Sequence, residues 1–479
     1  MGTDAPAFVV TAIDAGVRPV RLRLPFRFGA VTLRACPQLF VRATIELPCH
    51  APATGFAAEM MVPKWFDKRA DFKHADNVAH LAASVERTVQ AYVGDAGATA
   101  FELFERHCHA LLQAGERAGA TELSSAYGQA VIDRALIDAL CRALGVSFFS
   151  AVAHNLLGLR DSAVIADLRG FDWAAWLPTL IPLHAIDARH TIGLLDELHA
   201  HQDADDGLPV SLPAVITRYG HRVFKIKLGG DPVADVRRLG EVLEVLDRHA
   251  PGHHFTLDGN EQYADPAALS ELFVRLAGLS AYAHRPEALL YVEQPLPRDR
   301  SLDSALPAKQ SPAPLLMDEA DGTLNAFVRG RAVGWRGVSS KGCKGLYKAI
   351  VNRARCERWN AAAARDGQAP GFFMSAEDLT CQAGLAVQQD LALASLLGLT
   401  HSERNGHHYG DGFGSAPAAE QRGFGLAHPD LYESSTGRPR LRIAQGRVAI
   451  DSLFHAGFAH GADPDWSAVR PLSVATALV

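Results

Sequence analysis

The sequence predicts an α/β protein in which a barrel of parallel strands follows an α+β region. From about residue 182, short apolar strand candidates alternate with helical stretches. This alternation is typical of a parallel sheet covered on both faces, and eight such units close a (β/α)8 barrel in roughly 250 residues. No G-x-G-x-x-G follows any of these strands, which disfavours a dinucleotide-binding sheet.

The first 150 residues follow a different rhythm. Residues 9–13 and 39–47 are typical of strands, whereas F-R-F-G indicates a loop. Apolar side chains then recur every three or four positions over 76–92, which predicts an amphipathic helix. A second helix is predicted over 131–144, with Gly145 as its stop. These patterns predict an α+β domain over residues 1–150.

The barrel region contains six clear strand candidates and two weaker ones. The weaker two begin near residues 190 and 400. After about residue 425 short strand-like pieces return, and we expect them to pack against the N-terminal region. The six clear candidates are residues 223–227, 254–258, 289–293, 314–318, 337–341 and 371–375.

Composition narrows the function classes. The net charge is -6 and there is no basic block, so nucleic acid is not an expected partner. The seven cysteines are scattered without C-x-x-C spacing, which is typical of reduced thiols in a cytoplasmic protein. No signal peptide and no uncharged apolar run of about 18 residues is present, so we predict no membrane contact.

Two lysines stand in the apolar strand V-F-K-I-K. Strand side chains alternate between faces, so Lys225 and Lys227 point the same way while Phe224 and Ile226 point the other way. Two like charges on one face of a buried strand indicate either solvent or a strongly anionic group opposite them.

Charged residues end five consecutive strand candidates. They are separated by 31, 35, 25 and 23 residues, each near the length of one strand–helix unit. The carboxyl ends of barrel strands surround one mouth, so these side chains should converge there. In chain order the five are Lys227, Asp258, Glu293, Asp318 and Lys341.

Three converging carboxylates repel one another unless a cation neutralises them. Mg²⁺, with Mn²⁺ as an alternative, prefers such oxygen ligands, and zinc is disfavoured because no cysteine or histidine takes part. A lysine near a cation and a second lysine should have a lowered pKa and act as a base near neutral pH. This combination suits removal of the proton next to a substrate carboxylate, with the metal stabilising the enediolate.

The motifs that carry these residues resemble those of the enolase superfamily, particularly its muconate-lactonizing-enzyme-like subgroup. The resemblance implies a TIM-like (β/α)7β barrel over residues 151–424. It also implies an α+β capping domain formed by residues 1–150 and completed by residues 425–479. The motifs are K-I-K, D-G-N, V-E-Q-P, D-E, S-S-K, R-A-L-I-D-A-L-C-R-A-L-G and S-A-E-D.

The resemblance also implies roles for single residues. Asp258, Glu293 and Asp318 would bind Mg²⁺, and Lys227 and Lys341 would form the acid/base pair. Alternation alone cannot choose between Asp318 and its neighbour, and the family pattern favours the first. The implied supporting or substrate-binding residues are Lys225, Asn260, Glu319, Glu377 and His407.

The resemblance also implies that substrate specificity comes partly from capping-domain loops, here residues 25–29 and 62–68. For His407 and His408, substrate contact and structural packing are equally plausible. The mandelate-racemase subgroup would place a catalytic histidine after strand seven, but residues 375–378 read S-A-E-D, so a pair of lysines is preferred.

The sequence thus predicts an isomerase, a racemase, epimerase or cycloisomerase, that acts on a small-molecule carboxylate. The main alternative is a lyase that dehydrates a hydroxy acid such as a sugar acid. A barrel without catalytic activity is the least favoured hypothesis, because all three acids and both lysines are present. We also expect a homo-oligomer.

Overall fold

A computed structural model describes residues 5–95, 97–199, 205–303, 305–434 and 437–477. Its strands are β1 (Val9–Phe28), β2 (Val31–Glu46), β3 (Ala53–Met60), β4 (Ala185–Ile192), β5 (Val223–Lys227), β6 (His254–Asp258), β7 (Leu289–Glu293), β8 (Leu315–Met317), β9 (Gly337–Ser340), β10 (Phe373–Ala376), β11 (His401–Glu403), β12 (Tyr432–Glu433), β13 (Arg440–Leu441), β14 (Arg447–Ala449) and β15 (Arg470–Pro471). Its α-helices are α1 (His74–Tyr92), α2 (Ala100–Arg117), α3 (Glu122–Leu144), α4 (Phe148–Ala153), α5 (Trp173–Trp176), α6 (Leu212–Tyr219), α7 (Pro232–His249), α8 (Pro266–Ala277), α9 (Ser280–Ala283), α10 (Ala326–Val333), α11 (Leu346–Arg365), α12 (Leu385–Leu396), α13 (Asn405–Tyr409), α14 (Ala418–Ala427) and α15 (Val474–Ala477).

The barrel is closed, and the predicted fold class is confirmed. Strands β4 to β11 pair in parallel in chain order, and β11 pairs back onto β4. Short strand β14 adds to the early part of β4 in the antiparallel sense. All six clear strand candidates are strands, and so are the two weaker ones. The first of the weaker pair, expected near residue 190, begins earlier, at Ala185, and ends before Gly193.

One barrel connection departs from the strand–helix alternation. Among the described residues between β7 and β8, no α-helix forms. The segment contains five prolines, which remove backbone donors and block a helix interior. They are Pro295, Pro297, Pro307, Pro312 and Pro314.

The N-terminal region forms an antiparallel sheet of order β15-β1-β2-β3, against which α3 packs. The two predicted helices lie within α1 and α3, and Gly145 ends α3 in the left-handed conformation at φ 66°. Gly55 in β3 lets the backbone of α3 approach closely, because a Cβ there would lie 2.1 Å from the amide nitrogen of Ala139. Sequence reasoning did not identify α2 or β3.

The loop predicted at F-R-F-G is wrong, because the strand continues through it. Strand β1 runs to Phe28, and the hairpin turns at Gly29, whose φ is 51°. The pairing with β2 shifts register between Arg21 and Phe26, and this irregularity accommodates Pro25 within the strand. The two strands of the β1–β2 hairpin therefore stay paired up to its tip.

The C-terminal segment contacts both parts of the molecule. Strand β15 pairs with β1, where Val17 lies opposite Arg470, whereas β14 pairs with the barrel. The domain boundaries at residues 150 and 424 stay predictions. None of the described helices combines the length and the apolar character that crossing a membrane would require.

Candidate active site

The strand-end residues predicted from the sequence lie together at the mouth of the barrel. Lys227 lies opposite Asp258 in the β5–β6 register, and Asp258 lies opposite Glu293 in the β6–β7 register. Asp318 and Lys341 follow directly after β8 and β9. All five side chains are buried. Each of the five residues ends its strand or follows it directly, so the five side chains lie at the same height around the barrel mouth.

Lys225 lies at the centre of this mouth. Its Nζ is 2.9 Å from Asp258, 2.8 Å from Glu293, 2.8 Å from Glu377 and 3.0 Å from Glu403. Burial lowers the pKa of Lys225, but the four carboxylates outweigh burial and raise the pKa well above its usual range. This arrangement therefore favours the charged form of Lys225.

The two predicted bases each bind one carboxylate. Lys227 Nζ donates to Asp258 Oδ2 at 2.6 Å, and Lys341 Nζ donates to Asp318 Oδ2 at 2.6 Å. Lys344 adds a longer contact of 3.6 Å to Asp318. Burial raises the pKa of Asp318, but Lys341 and Lys344 outweigh it and hold the pKa below its usual range.

The expectation that a nearby cation lowers the pKa of Lys341 stays a prediction, and the arrangement without a cation shifts this pKa the other way. Burial does lower the pKa of Lys341, but its ion pair with Asp318 outweighs burial and raises the pKa above the usual lysine range. The expectation assumed a cation beside the lysine, whereas here the nearest charge is a carboxylate.

Both lysines border one small cavity under the capping domain. The cavity has a volume of about 20 Å³, room for roughly one water molecule. The ring of Phe26, at the hairpin tip, has its centroid 5.7 Å from Lys227 Nζ. The ring of Trp65, after β3, has its centroid 4.3 Å from Lys341 Nζ. Both capping segments singled out in the sequence therefore cover the mouth.

Lys68 fastens the second capping segment to the barrel. Its Nζ is 2.7 Å from Glu261 and 3.0 Å from Glu319, and it donates to the carbonyl of Asn260 at 2.8 Å. Arg298 also binds Glu261 at 2.7 Å. These contacts hold the capping loop against the mouth.

The predicted supporting residues divide into two groups. Asn260 donates to Glu319 Oε1 at 3.2 Å, and Glu377 accepts from Lys225, so four of the five residues lie at the mouth. His407 does not join them: its ring packs edge-on against Tyr219 with centroids 4.6 Å apart. This contact favours structural packing over substrate contact for His407.

Sequence reasoning missed Glu403 although it obeys the same rule as the predicted residues. Glu403 is the last residue of β11 and binds Lys225 from the far side of the mouth. Its position at the end of the eighth strand was a usable signal. Lys344, one turn after β9, also escaped notice, and only its contact with Asp318 reveals it.

The carboxylates fit a hard divalent cation. Glu293 Oε2 is buried and has no hydrogen-bond partner among the described residues. Burial, with Asp258 and Glu377 nearby, raises the pKa of Glu293 well above its usual range. A divalent cation would relieve both the unpartnered oxygen and the repulsion between carboxylates. Glu319 Oε2 is likewise unpartnered, so the preference for Asp318 as the third ligand stays a prediction.

Comparison with known proteins agrees with this geometry. Residues 211–411 match the family model of the enolase C-terminal domain-like proteins. None of the curated proteins compared with the chain matches its sequence.

Solved structures resemble the chain over nearly its whole length. A putative sugar isomerase of Streptomyces coelicolor is 17% identical with a TM-score of 0.59, covering 96% of this chain and 95% of that protein. The muconate lactonizing enzyme of Pseudomonas fluorescens, complexed with muconolactone, is 14% identical with a TM-score of 0.57, covering 96% and 98%. An enolase of Bradyrhizobium, complexed with magnesium and mandelic acid, is 17% identical with a TM-score of 0.58, covering 98% and 99%.

At these identities the likeness to solved structures establishes the fold. The family match covers strands β5 to β11 and therefore every strand end from Lys227 to Glu403. The resemblance inferred from the motifs is confirmed over the barrel: residues 211–411 belong to the enolase C-terminal domain-like family.

Proposed function

We propose that this protein is a Mg²⁺-dependent enzyme that removes the proton next to the carboxylate of a small molecule. The proposed reaction is a racemisation, an epimerisation or a cycloisomerisation. One observation carries the proposal: Lys227 and Lys341 border the same cavity, and each is bonded to a carboxylate of the neighbouring strand. Two amines on separate walls of one cavity suit proton transfer on both faces of a carbon.

Asp258, Glu293 and Asp318 would hold the metal. Once bound, Mg²⁺ would bind the substrate carboxylate and stabilise the negative charge that forms when the proton leaves. In the present arrangement Lys225 and the two bordering lysines neutralise these acids.

The proton would pass between the substrate carbon and the two lysine amines. A neutral Nζ, of Lys227 or Lys341, takes the proton from carbon, and the protonated Nζ on the other wall returns one to the opposite face. The family pattern assigns the roles to Lys227 and Lys341, and Lys225 stays charged because four carboxylates surround it. Phe26 and Trp65 would exclude water from this exchange.

Ligands of structurally similar proteins support a small carboxylate as substrate. The Pseudomonas fluorescens enzyme is complexed with muconolactone, the Bradyrhizobium protein with mandelic acid, and a dipeptide epimerase of Enterococcus faecalis with L-Leu-L-Tyr. A cavity of about 20 Å³ is too small for any of these molecules, so at least one of the two capping segments must move to admit a substrate.

The test is isotope exchange in deuterated water with a panel of carboxylates and Mg²⁺. We expect deuterium at the carbon next to the carboxylate without loss of water. Release of a 2-keto product would instead establish the dehydratase. No exchange with any carboxylate, together with no Mg²⁺ binding by calorimetry, would favour the non-catalytic barrel. Asp258→Asn, which keeps the side-chain shape, is the matched variant for the calorimetry and should weaken Mg²⁺ binding.

A further inference from the structure

A second group of potential metal ligands lies outside the mouth of the barrel. His190 is on β4, Asp196 is in the segment after it, and His408 is in α13. One ligand atom from each side chain lies within 4.8 Å of the others. Both histidines are buried and the aspartate is partly exposed. The three residues come from separate segments, so the fold rather than local sequence brings them together.

The group lies on the opposite side of β4 from the candidate active site. Thr191, the next residue on β4, points inward and donates to Glu403 at the mouth. His190 lies opposite Phe224 in the β4–β5 register, on the outer face that Phe224 shares, with the ring centroids 6.4 Å apart. Alternation along the strand therefore separates this group from the proposed magnesium ligands.

The histidine rings lack the hydrogen bonds that buried imidazoles normally make. Among the described residues, neither the His190 ring nor the His408 ring has a hydrogen-bond partner. The two rings are nearly perpendicular, at 85°, with centroids 5.0 Å apart. Their ring nitrogens are therefore available to bind a ligand or water.

The aspartate, in contrast, is already oriented. Its Oδ2 accepts hydrogen bonds from Tyr409 Oη at 2.6 Å and from the Gly193 backbone amide at 2.9 Å. The Oδ1 atom accepts none among the described residues. A carboxylate fixed through one oxygen with the other free is the usual arrangement of a metal ligand held by outer hydrogen bonds.

Both histidines are set up as neutral bases. Burial, with His408 nearby, lowers the pKa of His190 well below its usual value. Burial, with Arg23 nearby, lowers the pKa of His408 to about 3. Neutral imidazoles are the form that binds metals.

We propose that His190, His408 and Asp196 form a site for a Zn²⁺ ion, distinct from the magnesium site at the mouth. Two nitrogen ligands and one carboxylate oxygen are a typical zinc set, with water as the fourth ligand, whereas Mg²⁺ prefers oxygen alone. The aspartate supplies one negative charge, and two arginines lie nearby. Arg23 pairs with Asp206 and donates to the backbone carbonyl of His408, and Arg238 donates to the carbonyl of Gly193.

A zinc ion at this site would fix the capping hairpin over the mouth. Tyr409, which donates to Asp196, stacks its ring on Phe26 with centroids 4.3 Å apart. The same Phe26 ring covers Lys227. The ion would therefore act as a structural clamp on β4, α13 and, through Tyr409, the hairpin tip. The site does not depend on the proposed reaction.

The experiment is a titration of the metal-free full chain with ZnCl2 in saturating Mg²⁺, followed by calorimetry and by metal analysis after dialysis. We expect one retained Zn²⁺ per chain. The double variant His190→Gln/His408→Gln should lose it, with affinity more than about 100-fold weaker. A matched double variant, His249→Gln/His254→Gln, removes two exposed histidines and should keep it. Equal retention by both double variants would overturn the proposal, as would no retained zinc in the wild type.

Cobalt substitution tests the ligands without a core variant. Co²⁺ in the wild type should give the visible bands of a four-coordinate nitrogen and oxygen site. A thiolate charge-transfer band would assign the metal to one of the seven cysteines and overturn the proposal. The milder variant Tyr409→Phe should keep the bands and weaken Zn²⁺ binding about tenfold, because it removes the hydrogen bond that orients Asp196.

Discussion

The mouth of the barrel and the outer face of β4 are two buried polar clusters with opposite electrostatics. At the mouth, Lys225, Lys227 and Lys341 each bind at least one carboxylate, so charges of both signs neutralise one another. At the outer face, His190 and His408 are neutral and their rings have no hydrogen-bond partner among the described residues. The charges of the first cluster largely balance one another, whereas the second consists of two neutral rings and one carboxylate.

This difference bears on how a metal would bind to each. At the mouth, a divalent cation must take the place of ammonium groups that already neutralise its ligands, so binding should be coupled to movement of the lysines. At the outer face, a cation would bind ring nitrogens that form no hydrogen bond with any described residue. The first site is the one suited to change during turnover, and the second is suited to stay fixed.

The largest expected effect concerns the two bordering lysines. Lys227→Ala and Lys341→Ala should each lower kcat by about 10²- to 10⁴-fold, because each removes a group that carries the proton. Steady-state kinetics on a carboxylate that shows isotope exchange measures the loss. Lys309→Ala, at an exposed position, is the control and should be unchanged. Wild-type turnover in both variants would exclude the proposed mechanism.

A second large effect is expected on stability at the centre of the mouth. Lys225→Met should lower the free energy of unfolding by about 3–5 kcal/mol, because it leaves buried carboxylates without their cation. Urea denaturation measures the change, and Mg²⁺ should restore part of it by replacing the lost charge. Lys309→Met is the control. A loss no larger than that of the control would show that the four carboxylates do not need Lys225.

Much of this mouth was predictable from strand periodicity. Alternation alone placed Lys225 and Lys227 on one face, and the spacing of Asp258, Glu293 and Lys341 placed all of them at strand ends. The parallel strands of a closed barrel all end at one rim. Residues at the strand ends therefore converge there even when two sequences share few identical residues.

The contacts between distant segments were not predictable in this way. Lys68 lies 251 positions from Glu319, and no periodicity connects a capping loop to a strand end. Glu403 could be recognised as the end of a strand, but its contact with Lys225, 178 positions away, could not. The raised pKa of Lys341 depends on which charge is nearest, and this requires coordinates. The strand through Phe28 was hidden by Pro25, which a register shift accommodates.

A smaller effect is expected where the capping loop meets the mouth. Lys68→Ala should lower the free energy of unfolding by about 1–3 kcal/mol, because Glu261 and Glu319 lose a hydrogen-bonded charge. It should also raise KM more than it lowers kcat, because the loop covers the substrate without carrying the proton. Urea denaturation and steady-state kinetics measure the two changes. If kcat fell as far as in Lys341→Ala, Lys68 would belong to the proton-transfer machinery.

The smallest expected effect is a pH dependence at the edge of the mouth. Burial raises the pKa of Glu261, but Arg298 and Lys68 outweigh it and lower the pKa to about 2 from 4.5. The folded-state pKa is the lower one, so the stabilisation is complete above about pH 4.5 and is lost as the pH falls from there towards 2. Between pH 6 and pH 4 the wild type should lose about 1 kcal/mol of unfolding free energy through this group. Urea denaturation at several pH values measures it, and Glu261→Gln should lack this part of the slope. Equal slopes in the two proteins would mean that Glu261 already has a lowered pKa in the unfolded chain. The capping loop would then be held by the contacts of Lys68 with Glu319 and with the Asn260 carbonyl.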